Sequence, residues 1–174
     1  MITTPTKKRL LTVILLSGLL AGTLDIVAAF IHYYINYNKN PLRVLLFIAS
    51  GVFGKSAYTG GNAMYVAGAV FHYLIAYSFT VVFFLFYPLI SKLRFNRVVT
   101  GIVFGALIWL VMNLVVIPLS KTPSIPFHWP KALLAIGILI IAIGIPLSFL
   151  AYNHYLALRQ AAQNPPIHPN VRLR

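Results

Sequence analysis

The sequence predicts an all-α membrane protein: a four-helix transmembrane bundle with a short interfacial or re-entrant helix between the first and second spans. Three observations predict this fold. Hydrophobic residues make up 60% of the 174 residues and charged residues only 9%, whereas a soluble domain is about 45–50% apolar and about 25% charged. Four apolar runs exceed the roughly 20 residues that a helix needs to cross the hydrocarbon core. None of these runs alternates polar and apolar residues as the strands of a membrane barrel do.

The four spans are predicted at residues 10–34, 63–89, 98–118 and 132–153. A helix satisfies its own backbone hydrogen-bonding groups, so an apolar run of this length folds as a helix in lipid. The first run follows the cations Lys7, Lys8 and Arg9, a charge pattern that signal peptides also have. However, the run continues past Ala21 without a clear small-x-small cleavage site, so we expect it to remain as the first span.

The flanking cations predict that both ends of the chain are cytoplasmic. With the N-terminus inside, nine cations fall on the cytoplasmic side: Lys7, Lys8, Arg9, Lys92, Arg94, Arg97, Arg159, Arg172 and Arg174. The opposite side then holds five: Lys39, Arg43, Lys55, Lys121 and Lys131. Cytoplasmic loops of membrane proteins carry the excess of Lys and Arg. The count therefore favours an N-in, C-in topology.

A fifth apolar run, at residues 44–54, is too short to cross the bilayer. Asn40 and Pro41 before it are typical of a helix start, and Gly51 and Gly54 of a helix end. We therefore expect a short helix at the outer leaflet. Two interpretations remain open: an interfacial helix that only covers the bundle, or a functional re-entrant element.

All of these elements are predicted to form a single transmembrane domain over residues 1–158. Residues 159–174 contain several prolines and no apolar period. We expect them to form a short, disordered cytoplasmic tail.

Small residues mark the faces on which the helices are expected to pack. Six glycines are assigned this role: Gly18, Gly22, Gly68, Gly101, Gly105 and Gly144. Two pairs of them, in the first and third spans, form G-x-x-x-G patterns. Helices in lipid associate by close approach of their backbones, which small residues permit.

Asp25 is the only acidic residue of the chain, and it lies inside the first span. A charge at membrane depth costs about 2.5–3.5 kcal/mol even on lenient insertion scales, so we expect Asp25 to face the bundle and find a partner. Counting about 1.5 Å per residue puts His72 and Asn113 in the same half of the bilayer. These three residues, approached by Lys55, form the candidate intramembrane polar cluster. The sequence leaves open whether the cluster handles protons or cations or only joins helices.

No catalytic, metal-binding or cofactor-binding signature is found in the sequence. The chain has no cysteine and one acidic residue, which excludes thiolate metal sites and paired-carboxylate catalysis. The histidines lack zinc-site spacing. We therefore expect no catalytic residue, no metal and no cofactor. The cations flank apolar runs instead of clustering on one face with aromatic residues, so nucleic acid is not an expected partner.

Five short motifs run through the apolar part of the chain: A-G-T-L-D at residues 21–25, I-A-S-G-V-F-G-K at 48–55, T-G-G at 59–61, F-H-Y at 71–73 and V-M-N-L-V-V-I-P-L-S at 111–120. Together they resemble a widespread group of bacterial four-helix inner-membrane proteins of uncharacterised activity, loosely similar to the YagU type. The resemblance covers residues 10–149. It implies a location in the bacterial inner membrane and no established biochemical activity.

Three functional hypotheses follow. The first is an accessory or structural membrane protein whose G-x-x-x-G faces bind the helices of another protein. The alternative is a small oligomeric channel or proton-linked transporter that uses the cluster around Asp25. Because four short helices enclose little volume, its path is expected between protomers. A lipid- or quinone-handling enzyme is disfavoured by the missing carboxylates and thiols. The expected partners are the lipid bilayer and either a second copy of the chain or another membrane protein.

Overall fold

The computed structural model describes residues 7–93, 95–123 and 127–163, which form helices and short connections without a strand. The helices are α1 (Lys7–Tyr37), α2 (Arg43–Phe53), α3 (Asn62–Ile90), α4 (Arg97–Leu119) and α5 (Trp129–Gln163). Turns of 3-10 helix follow α2 at Gly54–Tyr58 and α3 at Ser91–Leu93.

The predicted all-α fold, with four long apolar helices and one shorter helix, is confirmed. The four long helices are each long and apolar enough to cross a membrane. They extend beyond the predicted spans because hydropathy marks only the apolar part of a helix. For example, α5 begins at Trp129, with Pro130 in its first turn, and ends at Gln163. It thus includes residues 159–163 of the predicted tail, whose remainder, residues 164–174, lies outside the described residues.

Helix α1 packs against α3 on one side and against α5 on another. Helix α2 packs against α3, and α4 packs against α5. Helices α3 and α4 meet chiefly at one end, where the ring centroids of Phe83 and Phe104 are 4.3 Å apart. The bundle is therefore closed at that end, and in the other half α3 and α4 leave space between them.

The hydrophobic core lies towards the closed end, where α3 ends and α4 begins. Its buried members are Ile14, Ala21, Phe83, Phe84, Tyr87, Phe104, Ile108, Ala142, Ile143, Leu147 and Ala151. The same end carries the cations Arg9, Lys92, Arg97 and Arg159, and we refer to it as the basic end. The opposite end is called the cavity end.

Each of the six glycines assigned to packing lies where another element comes close. A Cβ atom on Gly144 of α5 would collide with the backbone carbonyl of Gly101 on α4. A Cβ atom on Gly68 of α3 would collide with the backbone carbonyl of Leu45 on α2. The others approach a neighbouring helix: Gly18 faces Tyr77, Gly22 faces Tyr73 and Ala76, and Gly105 faces Ile140. Close backbone approach thus joins α2 to α3 and α4 to α5.

Two turns of π-helix interrupt the long helices, at Met112–Val116 in α4 and at Ile140–Gly144 in α5. Each ends two residues before a proline, Pro118 or Pro146. A proline lacks the backbone N–H, and its ring crowds the carbonyl four residues earlier, which here falls inside the π turn. The wider turn accommodates the proline. Such turns are frequent at functional sites.

Pro88 interrupts the backbone hydrogen bonding of α3 in a different way. It removes the N–H group that would bond to the carbonyl of Phe84. The hydroxyl of Tyr155 on α5 donates a hydrogen bond to this carbonyl instead, at 2.8 Å. Because a buried carbonyl without a partner is costly, this bond both satisfies Phe84 and ties α5 to α3.

Replacing Tyr155 by phenylalanine is expected to lower the free energy of unfolding by about 1–3 kcal/mol, because it leaves the Phe84 carbonyl without a partner. In a Pro88→Ala background the restored N–H bonds to Phe84, so the same replacement should cost much less. The free energy of unfolding in detergent micelles is measured for the wild type, the two single variants and the double variant. The four values give the coupling energy between Tyr155 and Pro88. An equal cost in both backgrounds would mean that Tyr155 does not compensate for Pro88.

Candidate functional site

A cavity of about 660 Å³ lies among all five helices, in the half of the bundle away from the basic end. Most of its lining is aliphatic or aromatic, including Phe47 from α2, Phe71 from α3, Trp109 from α4 and Ile138 from α5. Pockets that bind small molecules have volumes of about 300–1,000 Å³ and walls of this kind. The cavity is therefore the candidate functional site.

Asp25 lines this cavity from α1. Gly18, Gly22, Asp25 and Ala29 follow one another at steps of four, three and four residues, so they share one face of the helix. The two glycines hold this face against α3. In the part of the chain that the structure describes, the Asp25 carboxylate accepts no hydrogen bond and forms no ion pair. It is therefore available to a ligand in the cavity.

His72 lines the cavity from α3, near Asp25. The ring is buried, and its Nε2 donates a hydrogen bond to the backbone carbonyl of Gly22 at 2.8 Å. Because a carbonyl only accepts, Nε2 carries the hydrogen, and Nδ1 of the neutral ring is an acceptor. The helices are closely packed beside this bond, since a Cβ atom at Gly22 would lie 3.1 Å from the side chains of Tyr73 and Ala76.

Asn113 lines the cavity from the π turn of α4. Its Nδ2 donates a hydrogen bond to the carbonyl of Trp109 at 2.9 Å. Its side-chain oxygen accepts no hydrogen bond from the described residues, and the residue is exposed. Asn113 thus offers the cavity a neutral acceptor.

Lys55 is not among the residues that line the cavity. It lies in the 3-10 turn Gly54–Tyr58 after α2, and its side chain is exposed. The cavity therefore brings together three of the four residues of the predicted cluster, Asp25, His72 and Asn113. The fourth, Lys55, which was expected to approach the other three, lies outside it.

Sequence reasoning missed other polar residues of the cavity. His32 and Tyr33 line it from α1. His32 lies seven residues after Asp25, two helical turns further on the same face, so helical spacing alone could have found it. Ser120 and Thr122, whose hydroxyl groups are 2.9 Å apart, line it from the connection after α4. No regular spacing marks these two residues in the sequence.

The chemistry of the cavity suits a molecule with an apolar body and a positive group. Aromatic faces attract cations, and the Asp25 carboxylate supplies the one negative charge. Within the described ranges, no group of three His, Asp, Glu or Cys side chains is placed to hold a metal ion.

Comparisons of the chain with protein-family models, with curated proteins and with solved structures find no match.

Proposed function

We propose that the protein is a small membrane transporter that binds an amphiphilic cation at Asp25 in exchange for a proton. One observation carries this proposal: the only acidic residue of the chain lines an apolar and aromatic cavity, and none of the described residues donates a hydrogen bond to it. A charge in such surroundings is costly unless an opposite charge lies beside it. A proton compensates Asp25 when the cavity is empty, and a bound cation compensates it when the cavity is occupied.

The exchange balances in charge. In the empty state the Asp25 carboxyl group holds one exchangeable proton. As the cation enters, this proton leaves to the aqueous phase, and the net charge of the cavity stays the same. Because proton and cation compete for one site, movement of one across the membrane drives the other in the opposite direction. The free Nδ1 of His72 is an acceptor through which the proton can pass.

The lining defines the class of molecule that is bound. Phe47, Phe71 and Trp109 line the cavity, and aromatic rings attract a cation whose charge is spread over an apolar body. A small inorganic cation such as Ca²⁺ needs six to eight oxygen ligands, which this lining does not supply. The volume of about 660 Å³ fits a molecule with several rings.

The accessory hypothesis depended on G-x-x-x-G faces that bind another protein. Gly18 and Gly22 pack against α3 of the same chain, and Gly101 and Gly105 pack against α5. These faces are already occupied, which favours the transporter. The cavity also lies within one chain, so binding does not require an interface between protomers.

We further propose a location in the bacterial inner membrane with both termini in the cytoplasm. The YagU-type resemblance, the four long apolar helices and the nine-to-five distribution of cations support this arrangement. Reporter fusions placed after Arg174 and within residues 121–130 are expected to report opposite sides of the membrane. Reporters found on the same side would rule out the four-span topology.

Uptake into liposomes tests the proposed transport. Purified protein is reconstituted in liposomes with an acidic interior, and ethidium, an amphiphilic cation of several fused rings, is added outside. Outward proton flow should drive accumulation of ethidium by the wild type and not by Asp25→Asn. Ser78→Ala, which changes a polar residue of α3 outside the cavity, should behave as the wild type. Equal accumulation with and without the Asp25 carboxylate would overturn the proposal.

A further inference from the structure

The cations at the basic end have no acidic side chain to pair with. Arg9, Lys92, Arg97 and Arg159 lie at this end, whereas Asp25, the one acidic residue of the chain, lines the cavity in the other half. Positive charges gathered at the end of a membrane-spanning bundle are typical of contact with anionic lipid headgroups. No side chain of the protein can therefore be the counter-ion of these cations, so the negative charge must come from another molecule.

A pocket of about 240 Å³ lies beside these cations, between the end of α3, the turn after it and α5. Polar groups of Tyr87, Ser91 and Arg159 line it. Nη2 of Arg159 donates a hydrogen bond to Oγ of Ser91 at 3.0 Å, which holds the guanidinium at the pocket. The remaining N–H groups of Arg159 donate to no other described residue.

A second guanidinium, that of Arg97, lies beside the pocket without being one of the groups that line it. Arg97, at the start of α4, lies over the ring of Tyr152 with its Cζ atom 4.4 Å from the ring centroid, and Tyr152 lines the pocket. Stacking engages the face of a guanidinium and leaves its N–H groups at the edge free for an anion. Arg97 and Arg159 both lie within electrostatic range of the Tyr87 hydroxyl. Arg159 therefore lines the pocket, and Arg97 lies beside it, over the ring of a residue that lines it.

The pocket also has an apolar side. Phe95 and Leu156 line it, and they are 57% and 37% exposed. Arg159 lies thirty residues after the start of α5, about 45 Å along the helix, so the pocket falls beyond the roughly 30 Å of hydrocarbon that the helix crosses. Polar groups at headgroup depth beside exposed apolar side chains match an amphiphile that carries an anionic head and acyl chains.

We propose that this pocket binds the phosphate group of an anionic phospholipid. Arg159 and Arg97 hold the phosphate oxygens through their N–H groups, a geometry for which the arginine fork is suited. Tyr87 and Ser91 add hydroxyl groups, and Phe95 and Leu156 contact the first part of the acyl chains. The site is separate from the Asp25 cavity and does not depend on the transport activity.

Native mass spectrometry of the full chain in detergent micelles tests this site by counting bound lipid. Phosphatidylglycerol is titrated against phosphatidylcholine with the same acyl chains, using the wild type, Arg159→Gln and Lys39→Gln. Lys39 is an exposed cation at the other end of the bundle, so its replacement removes the same charge elsewhere. We expect Arg159→Gln to weaken phosphatidylglycerol binding by about tenfold or more, because it removes charged hydrogen bonds. Lys39→Gln should bind as the wild type.

Three results would overturn the proposal: unchanged phosphatidylglycerol binding by Arg159→Gln, equal binding of phosphatidylcholine, or displacement of the lipid by inorganic phosphate. The last would assign the pocket to a free phosphate instead of a lipid. If Arg159→Gln does not fold, Arg159→Lys is used instead. Lysine keeps the positive charge and lacks the planar set of N–H donors of a guanidinium, so we expect this variant to bind phosphatidylglycerol with intermediate affinity.

Discussion

Replacing Gly144 by alanine is expected to lower the free energy of unfolding by about 1–3 kcal/mol, the usual cost of an added methyl group in a tightly packed contact. The new Cβ atom would collide with the backbone carbonyl of Gly101. A backbone carbonyl cannot rotate away as a side chain can, so α4 and α5 have to separate. This loss is expected although alanine favours a helix by up to about 1 kcal/mol over glycine.

Gly137→Ala is the matched control for this replacement. It makes the same change in the same helix, at a position where a Cβ atom would meet no other atom within 4 Å. It should therefore leave stability unchanged or raise it slightly. Thermal unfolding in detergent micelles, followed by circular dichroism, compares the two variants with the wild type. Equal losses of stability would contradict the tight backbone contact between α4 and α5.

Replacing Asp25 by asparagine is expected to remove cation binding and leave the fold intact. The amide has nearly the shape of the carboxylate, and no hydrogen bond from the described residues is lost because Asp25 accepts none. The amide cannot release a proton or neutralise a bound cation. Losing one partner of a buried charge pair costs about 2 kcal/mol or more, so the affinity for tetraphenylphosphonium should fall by about 30-fold or more. Calorimetric titration in micelles measures this change.

Two comparisons separate this role from a purely structural one. Asp25→Glu keeps the negative charge and should retain part of the binding, whereas Lys39→Gln, which removes an exposed charge outside the cavity, should retain all of it. If Asp25 only joined helices, Asp25→Asn would change the thermal unfolding midpoint and leave tetraphenylphosphonium binding as in the wild type. That outcome would refute the proposed site.

The helices of this protein could be predicted from its sequence for a clear physical reason. A run of apolar residues long enough to span the hydrocarbon core has only the helix as a way to satisfy its backbone. The ends of the helices were harder to predict from hydropathy, because a helix continues into polar residues until the backbone leaves the helical conformation. Helix α1 ends at Tyr37, three residues beyond the end of the predicted span at residue 34. The next residue, Asn38, has a φ of 46°, which ends the helix.

The candidate site was only partly accessible from sequence. Counting residues gives the depth of Asp25, His72 and Asn113, but depth says nothing about position around the bundle. Lys55 follows the short helix α2, as the sequence indicated, but it is not among the residues that line the cavity. The partner of His72 is the backbone carbonyl of Gly22, and no sequence pattern marks a backbone partner. The cavity itself depends on how α3 and α4 separate, which the sequence does not encode locally.

Proton release on cation binding tests most directly whether Asp25 exchanges one for the other. Tetraphenylphosphonium is added to the protein in weakly buffered micelles, and the pH change is followed as binding proceeds. We expect about one proton released for each cation bound by the wild type, because the cation replaces the proton that neutralises the Asp25 carboxylate, and none from Asp25→Asn. Binding without proton release, or the same release from Asp25→Asn, would contradict the exchange.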